Sequence, residues 1–390
     1  MKDTSNHGFG SATKLRFKKS IWVLFVFLVL IVMIIPSIII MFFGAGTASV
    51  HFNELFTASK QNQASSRFNS NQIANNTSSQ KSPLDIGWIS GNSINIQHLA
   101  DYHNLKVVSP ELAAIDNQFN LQVISAPSLT NTIRQQGKRI WTRVIIGRDT
   151  YTNVHTFLTN SKKIQEVIVK IIQSAKSNHW DGVNVDIENV SSEDRNAFSQ
   201  FVKTLSDGLN KSSVILSIDL PPETIGSNNK GTPFDHELLG RYCNYIIFMG
   251  YDQHWSTDPI PGPITSLSWL KENLQEYLQT GIPAEKLILG LPAYTRIWEQ
   301  NHQDHVVKNP AEPLQYVEKL VAQNHRNFSW DSTLGEYFIS YTAQNVQYKI
   351  WLPTAKSFNL YLDLIPQLHL AGSAVWDLNQ MNSAYWNEIF

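Results

Sequence analysis

From about residue 84 onward the chain repeats one texture: a short apolar run, a polar turn, an amphipathic helical stretch, and another apolar run. The candidate strands are Asp85–Trp88, Lys106–Ser109, Ile140–Ile146, Gly182–Glu188, Val214–Asp219, Tyr245–Tyr251, Leu287–Tyr294 and Gly372–Trp376. Between them, Ile164, Val167, Ile168, Ile171 and Ile172 recur at helical spacing and share one face. Ser191-Ser192-Glu193-Asp194 offers a capping-box-like helix start. Strands alternating with helices over roughly 300 residues predict an α/β fold, a (β/α)8 TIM barrel. A doubly wound sheet is the alternative, but the dinucleotide glycine fingerprint and the P-loop are both absent.

One interval is too long for a simple loop. After the seventh strand come a helical pattern (Leu314, Val317, Leu320, Val321) and two alternating runs, Tyr337–Tyr341 and Val346–Leu352, that read as a hairpin. These predict a small α+β insertion over about 296–353, within a barrel domain spanning 84–390.

The first 83 residues are patterned differently. Residues 1–20 are polar and basic, with Lys14, Arg16, Lys18 and Lys19 just ahead of Ile21–Phe43, a run without a charged residue. That run is long enough to cross a bilayer and longer than the apolar core of a cleaved signal peptide, so it predicts a transmembrane signal anchor. The basic flank places the N-terminus in the cytoplasm and the barrel outside. Residues 44–83 turn to Ser, Asn and Gln, as in Asn75-Asn76-Thr77-Ser78-Ser79, and read as a flexible linker.

Composition narrows the function by exclusion. With 31 Lys+Arg against 32 Asp+Glu, no charge excess points to nucleic acid. The single cysteine, Cys243, lies in an apolar run and excludes an intrachain disulfide. No Gly-x-Ser-x-Gly elbow is present. His302, Asp304 and His305 lie close in sequence, but read as a solvated loop, so no metal or other cofactor is expected.

The chemistry concentrates in Trp180-Asp181-Gly182-Val183-Asn184-Val185-Asp186-Ile187-Glu188-Asn189. Strand alternation puts Asn184, Asp186 and Glu188 on one face and Val183, Val185 and Ile187 on the other. Asp186 and Glu188 would then lie roughly 6–7 Å apart, where one carboxylate raises its neighbour's proton affinity. A carboxyl held protonated in this way can act as a general acid. Glu188 ends the fourth strand in this reading, and barrels of this type carry catalytic residues at strand C-termini.

This stretch resembles the Asp-x-x-Asp-x-Asp-x-Glu signature of glycoside hydrolase family 18, the chitinase-like barrels. Asp181, Asp186 and Glu188 match it, with Asp181 and Gly182 as its structural part, and Asn184 stands where the family usually has an aspartate. The wording is similar to the branch of spore-cortex and cell-wall N-acetylglucosaminidases. Met249-Gly250-Tyr251-Asp252 resembles the sixth-strand motif, Gly290-Leu291-Pro292-Ala293-Tyr294-Thr295-Arg296-Ile297-Trp298 the seventh, and Trp376 the eighth-strand tryptophan.

The resemblance implies Glu188 as acid and base, Asp186 as holder of the substrate's acetamido group, and Tyr251 as donor to its carbonyl. It implies substrate contacts from Asn184, Met249, Asp252, Tyr294, Arg296 and Trp376; Glu111, after Pro110, could line the groove at the second strand end. The expected function is retaining, substrate-assisted hydrolysis of β-linked N-acetylglucosamine glycan, in peptidoglycan, chitin-like or surface polysaccharide. A barrel that binds amino-sugar glycans without cutting them is the alternative. An anchored barrel could also work beside a membrane polysaccharide-synthesis partner.

Overall fold

Each short apolar run is followed by a helix or crossover that returns the chain to the same end of the sheet, so the strands pair in parallel. The computed structural model describes residues 83–91, 96–147, 151–223, 232–323 and 328–390. Its first strands are β1 (Leu84–Ile89), β2 (Val107–Ile115), β3 (Leu121–Val123), β4 (Arg139–Ile146), β5 (Gly182–Asp186), β6 (Ile215–Leu220), β7 (Tyr245–Met249) and β8 (Leu287–Pro292). Around them lie α1 (Pro127–Gln135), α2 (Tyr151–Leu158), α3 (Ser161–Ser177), α4 (Arg195–Asn210), α5 (His236–Tyr242) and α6 (Leu267–Gln279). A final strand, Gly372–Trp376, pairs in parallel with β8 on one side and β1 on the other. Since β1 also pairs with β2, eight parallel strands close into a barrel, with β3 added antiparallel to β2.

The alternation along β5 explains how the barrel packs. Val183, Val185 and Ile187 are buried on the outer face, in the layer beneath the helices, while Asn184 and Asp186 take the inner side. The helix α3 meets that outer layer through Val167, Ile168, Ile171 and Ala175, and Asn160 caps its start by accepting from the Lys163 backbone N–H at 3.1 Å. Val167, Ile168 and Ile171 each contribute about 1.5–3 kcal/mol when fully buried. A second, smaller apolar cluster fills the barrel interior, with Trp88, Trp141, Ile247, Met249 and Ile288 among its members.

Several element boundaries depart from the sequence reading. The fourth barrel strand ends at Asp186, where its pairing with β4 stops at Ile145, so Glu188 lies beyond the strand in a loop. Asn189 turns that loop with φ of 59°, a left-handed conformation that asparagine tolerates. The second strand runs on past Ser109 to Ile115, which places Glu111 mid-strand, beside a register shift. Ser191 does not cap a backbone N–H; its hydroxyl donates to Asp194 at 2.7 Å, and a 3-10 turn precedes α4.

The insertion begins earlier than residue 296. The chain leaves β8 and enters β9 (Tyr294–Gln300) almost at once, followed by β10 (Val306–Lys308), β11 (Ala311–Pro313), α7 (Leu314–Gln323), β12 (Phe328–Asp331), β13 (Glu336–Ala343) and β14 (Val346–Leu352). These strands form a six-stranded antiparallel sheet in the order β10-β9-β14-β13-β12, with β11 also on β9. The expected hairpin is β13 and β14, and β9 sits beside it because Ile297–Gln300 pair with Gln347–Ile350 of β14. Trp298 is buried on this sheet and donates its indole N–H to the Gly262 carbonyl at 2.9 Å, clipping the sheet to the loop after β7. After α8 (Ala355–Leu362) the chain returns as β15, the closing strand Gly372–Trp376.

The stretches 1–20, Ile21–Phe43 and the linker to residue 82 lie outside the described residues, and with them the expected membrane anchor. Among the described residues no helix is long and apolar enough to cross a membrane.

Gly182 opens β5 against the indole of Trp141, and a Cβ there would lie 2.5 Å from Trp141 Cδ1. The Gly182→Ala variant should therefore lose about 1–3 kcal/mol of unfolding free energy, as overpacked cores do. Urea titration reads this directly, and an unchanged midpoint would show that Trp141 moves aside freely.

Candidate active site

The inner face of β5 brings Asn184 to the centre of the barrel, where it is fully buried. Its side-chain carbonyl accepts from the Trp88 indole N–H at 2.9 Å and from the Ser109 hydroxyl at 3.2 Å. Its amide donates to Ser217 Oγ at 3.1 Å and to Asp219 Oδ1 at 2.8 Å. Two donors and two acceptor positions are all used, which fixes the amide's orientation and ties β1, β2, β5 and β6 together. Both of its amide protons are thus taken by acceptors on β6.

Two residues further along β5, Asp186 reaches the mouth of the barrel. Arg143, from β4, donates to Asp186 Oδ2 at 2.9 Å and also pairs with Glu111 on β2. The same guanidinium lies 4.5 Å from the ring centroid of Trp376, at the end of β15. Trp376 in turn meets Trp88 edge-on at 5.9 Å. Glu111 is thus a buttress for Arg143, and Arg143 orients both the Asp186 carboxylate and the Trp376 ring. A charge-assisted pair of this kind is strong because Arg143 is 3 % exposed and Asp186 9 %.

Glu188 is exposed and, with Asp186, Asn189, Arg143 and Trp376, lines a cleft of about 300 Å³. On the other side of the barrel mouth Met249 ends β7, and Tyr251 follows, buried. Burial foremost pushes the Tyr251 phenol upward, and the carboxyls around it act in the same direction, so it stays a neutral hydrogen-bond donor. Its ring stands edge-on to Tyr294 at 6.5 Å. Tyr294 donates to Asp252 Oδ1 at 3.0 Å, and Arg296 approaches the same oxygen at 3.6 Å. Asp252 holds φ of 57° to accept both. Asp181 lies at the opposite end of β5, where its carboxylate accepts from the Ile140 backbone N–H at 2.8 Å. It braces the strand and does not touch the cleft.

The structure therefore gathers Asn184, Asp186, Glu188, Glu111 and Trp376 into one constellation and Tyr251, Asp252, Tyr294 and Arg296 into a second around the same mouth. Arg143, Asp219, Trp88, Ser109 and Ser217 join the first of these, and no motif in the sequence marks them as site residues. Asp219 had a usable signal, as the last polar residue of a predicted barrel strand, where such folds place their chemistry. Arg143 had a weaker one, a charge within an apolar strand. His302, Asp304 and His305 are exposed in the turn between β9 and β10. Away from the cleft, His155 Nδ1 lies 2.8 Å from Asp194 and 3.6 Å from Glu193, close enough for the three to meet a cation. Asp194 is already held there by His155 and Ser191, which is reason enough for the grouping.

A barrel with an acidic residue at the mouth, a buried arginine-held aspartate behind it and a tryptophan floor is the architecture of a carbohydrate-cleaving enzyme. The family model "Glycosyl hydrolases family 18" matches residues 43–380, and the chain belongs to that family as a chitinase-like glycosidase. It is similar to an uncharacterized glycosylase, YvbX, of Bacillus subtilis, 24 % identical over 78 % of this chain and 90 % of the relative. A cortical fragment-lytic enzyme of the same organism is 24 % identical over 59 % of this chain, and the match spans 54 % of that relative's length. Among solved structures, a chitinase from Chromobacterium violaceum superposes with a TM-score of 0.71 at 21 % identity, covering 79 % of this chain and 98 % of that one. At that identity the superposition speaks for the fold alone.

Replacing Arg143 with Met keeps its aliphatic stem and removes the charge that Asp186 and Glu111 share. Breaking a buried pair leaves uncompensated carboxylates, so Arg143→Met should lose about 3–5 kcal/mol at neutral pH. The loss should shrink as the pH falls and those carboxyls take up protons. Unfolding titrations at pH 7 and pH 4 check both the size and the sign.

Proposed function

We propose that this protein is an anchored, extracytoplasmic hydrolase of β-linked N-acetylglucosamine glycan that works with retention, using the substrate's own acetamido group. The observation that carries this reading is the division of labour among carboxyls. Glu188 faces the open cleft, while Asp186 is held by Arg143 and Asp219 is buried beneath. An exposed acid backed by a restrained aspartate suits one proton-transferring residue and one that orients substrate.

In this mechanism Glu188 gives its proton to the glycosidic oxygen as the bond to the anomeric carbon breaks. The acetamido oxygen takes the anomeric position, with Asp186 accepting from the acetamido N–H and Tyr251 donating to its carbonyl. Glu188, now a carboxylate, removes a proton from water; the water oxygen bonds the anomeric carbon and the acetamide re-forms. Two inversions at one carbon leave the configuration retained, without a protein nucleophile. The Trp376 face would carry the reacting sugar, since apolar sugar faces pack on aromatic rings.

The cellular setting is drawn from the sequence. An uncharged run at Ile21–Phe43 and a polar linker to residue 83 would tether the barrel outside the membrane. A linker of about 40 residues has a root-mean-square span of roughly 30–40 Å. Such reach suits a wall or surface amino-sugar polymer, and the similarity to a cortical fragment-lytic enzyme supports that substrate class over environmental chitin.

Glu188→Gln should reduce turnover of N-acetylglucosamine oligomers by about 100-fold or more while leaving binding intact. Turnover and calorimetric binding on the same oligomer check this. Wild-type turnover in the variant would remove Glu188 from the mechanism, and binding without turnover in either protein would favour a lectin. A second measurement compares an acetylated oligomer with its fully de-N-acetylated counterpart. Only the acetylated chain should be cleaved, because its oxygen supplies the nucleophile.

A further inference from the structure

Beneath the cleft lies a carboxyl that the mechanism above does not use. Val185 pairs with Ile218 across β5 and β6, so the residues that follow, Asp186 and Asp219, stand side by side on adjacent strands. Strands in a sheet lie about 4.8 Å apart, which leaves these two carboxyls as direct neighbours. Asp219 is 4 % exposed, and its Oδ1 accepts from Asn184 Nδ2 at 2.8 Å.

We propose that Asp219 is a positioning residue for this site, a buried carboxyl that retains a proton beside Asp186 and thereby sets how Asp186 and Glu188 ionise. The groups that act on it come from every side: Asn184 and Asp186 on β5, Glu188 in the following loop, Arg143 on β4, and Tyr251 after β7. Ser217 stands two residues earlier on its own strand and shares the Asn184 amide. Arg143 is the cation of this group, and it is already engaged by Asp186 and Glu111. Two adjacent buried carboxyls cannot both be ionised without cost, so one keeps its proton. Asp186 has the guanidinium, which leaves the proton on Asp219. Burial foremost, and then the charge of Asp186, push Asp219 well above its ordinary value of 3.8, while the Asn184 bond and Arg143 act against them. A neutral asparagine at position 184 makes this possible, for it donates to Asp219 where an aspartate would compete for the same proton. The second ionisable carboxyl of the barrel interior is thus carried by β6 instead of β5.

The kinetic part of this inference rests on the hydrolase reading, so the test has an arm that needs no activity. Carbon-13 titration of the aspartyl carboxyls should reveal one that protonates well above the ordinary range, absent in Asp219→Asn and restored in the exchange Asn184→Asp/Asp219→Asn. Asp219 also carries a sign in stability. Its raised folded value means its contribution is full below about 3.8 and is lost as the pH rises through the folded value. Asp219→Asn should lack that decline and show a flatter stability profile from acid to neutral pH. If Asp219→Asn does not fold, wild type against Asn184→Asp decides, since the added carboxyl should drive the high-titrating group higher still.

In the kinetic arm, the basic limb of the kcat/KM profile should move down in Asp219→Asn, since the negative charge Asp219 gains when it finally gives up its proton is no longer there to hold the Glu188 proton. The exchange variant should bring that limb back. A uniform loss of rate at every pH, with the limbs in place and no recovery in the exchange, would make Asp219 merely structural. So would the absence of any high-titrating aspartyl carboxyl. Should no variant cleave any glycan, the hydrolase reading fails and the carboxyl titration alone decides the role of Asp219.

Discussion

The interior of a closed eight-stranded barrel is filled by side chains and has little room to hydrate a charge. Every polar group placed there must find its partners within the protein. The Asn184 amide meets that constraint with four hydrogen bonds, and the rest of the site is assembled on it. Its partners fix Trp88, which packs against Trp376; they fix Asp219, which lies beside Asp186; and they hold β1, β2, β5 and β6 in a single register. Arg143 performs the same service one layer higher for Glu111, Asp186 and the Trp376 face. The cleft is therefore shaped from below, by side-chain bonds between strands of the barrel.

How far this could be read from sequence depends on what each feature requires. The alternation Val183, Val185, Ile187 against Asn184, Asp186 is local, and the structure keeps it. The barrel was legible for the same reason, because each strand announces itself by an apolar run and a following helix. The local alternation extends to Glu188, but the strand ends at Asp186, since only pairing partners determine where a ladder stops. Arg143 and Asp219 were missed because their meaning lies in neighbours on other strands. Nothing in Ile140–Ile146 says that its arginine faces an aspartate 43 residues away. The insertion's hairpin is visible as two alternating runs, whereas β9 starts on Tyr294, the last residue of the expected barrel strand, and β10 and β11 are three residues each, too short to show a pattern.

That hidden boundary has its own physical sense. Because β9 begins within two residues of β8, Tyr294 and Arg296 are rigidly placed at the rim, where both converge on Asp252. Trp298, two positions on, anchors the same strand to the loop after β7. The insertion is consequently part of the wall that Asp252 helps to form, held to the barrel by a buried indole and not by a flexible hinge.

The closing strand ties the site to the order of folding. Trp376 comes from the last of the eight strands and Trp88 from the first, and Ser90 and Asp377 are joined across 287 residues of chain. Contacts of such sequence separation form only once the entropy of closing a long loop has been overcome. Until β15 docks between β1 and β8, Arg143 lacks the ring it stacks on and the cleft lacks its floor. A chain whose barrel is not yet closed would thus be unable to grip a glycan. The site comes into being only with the last closure of the barrel.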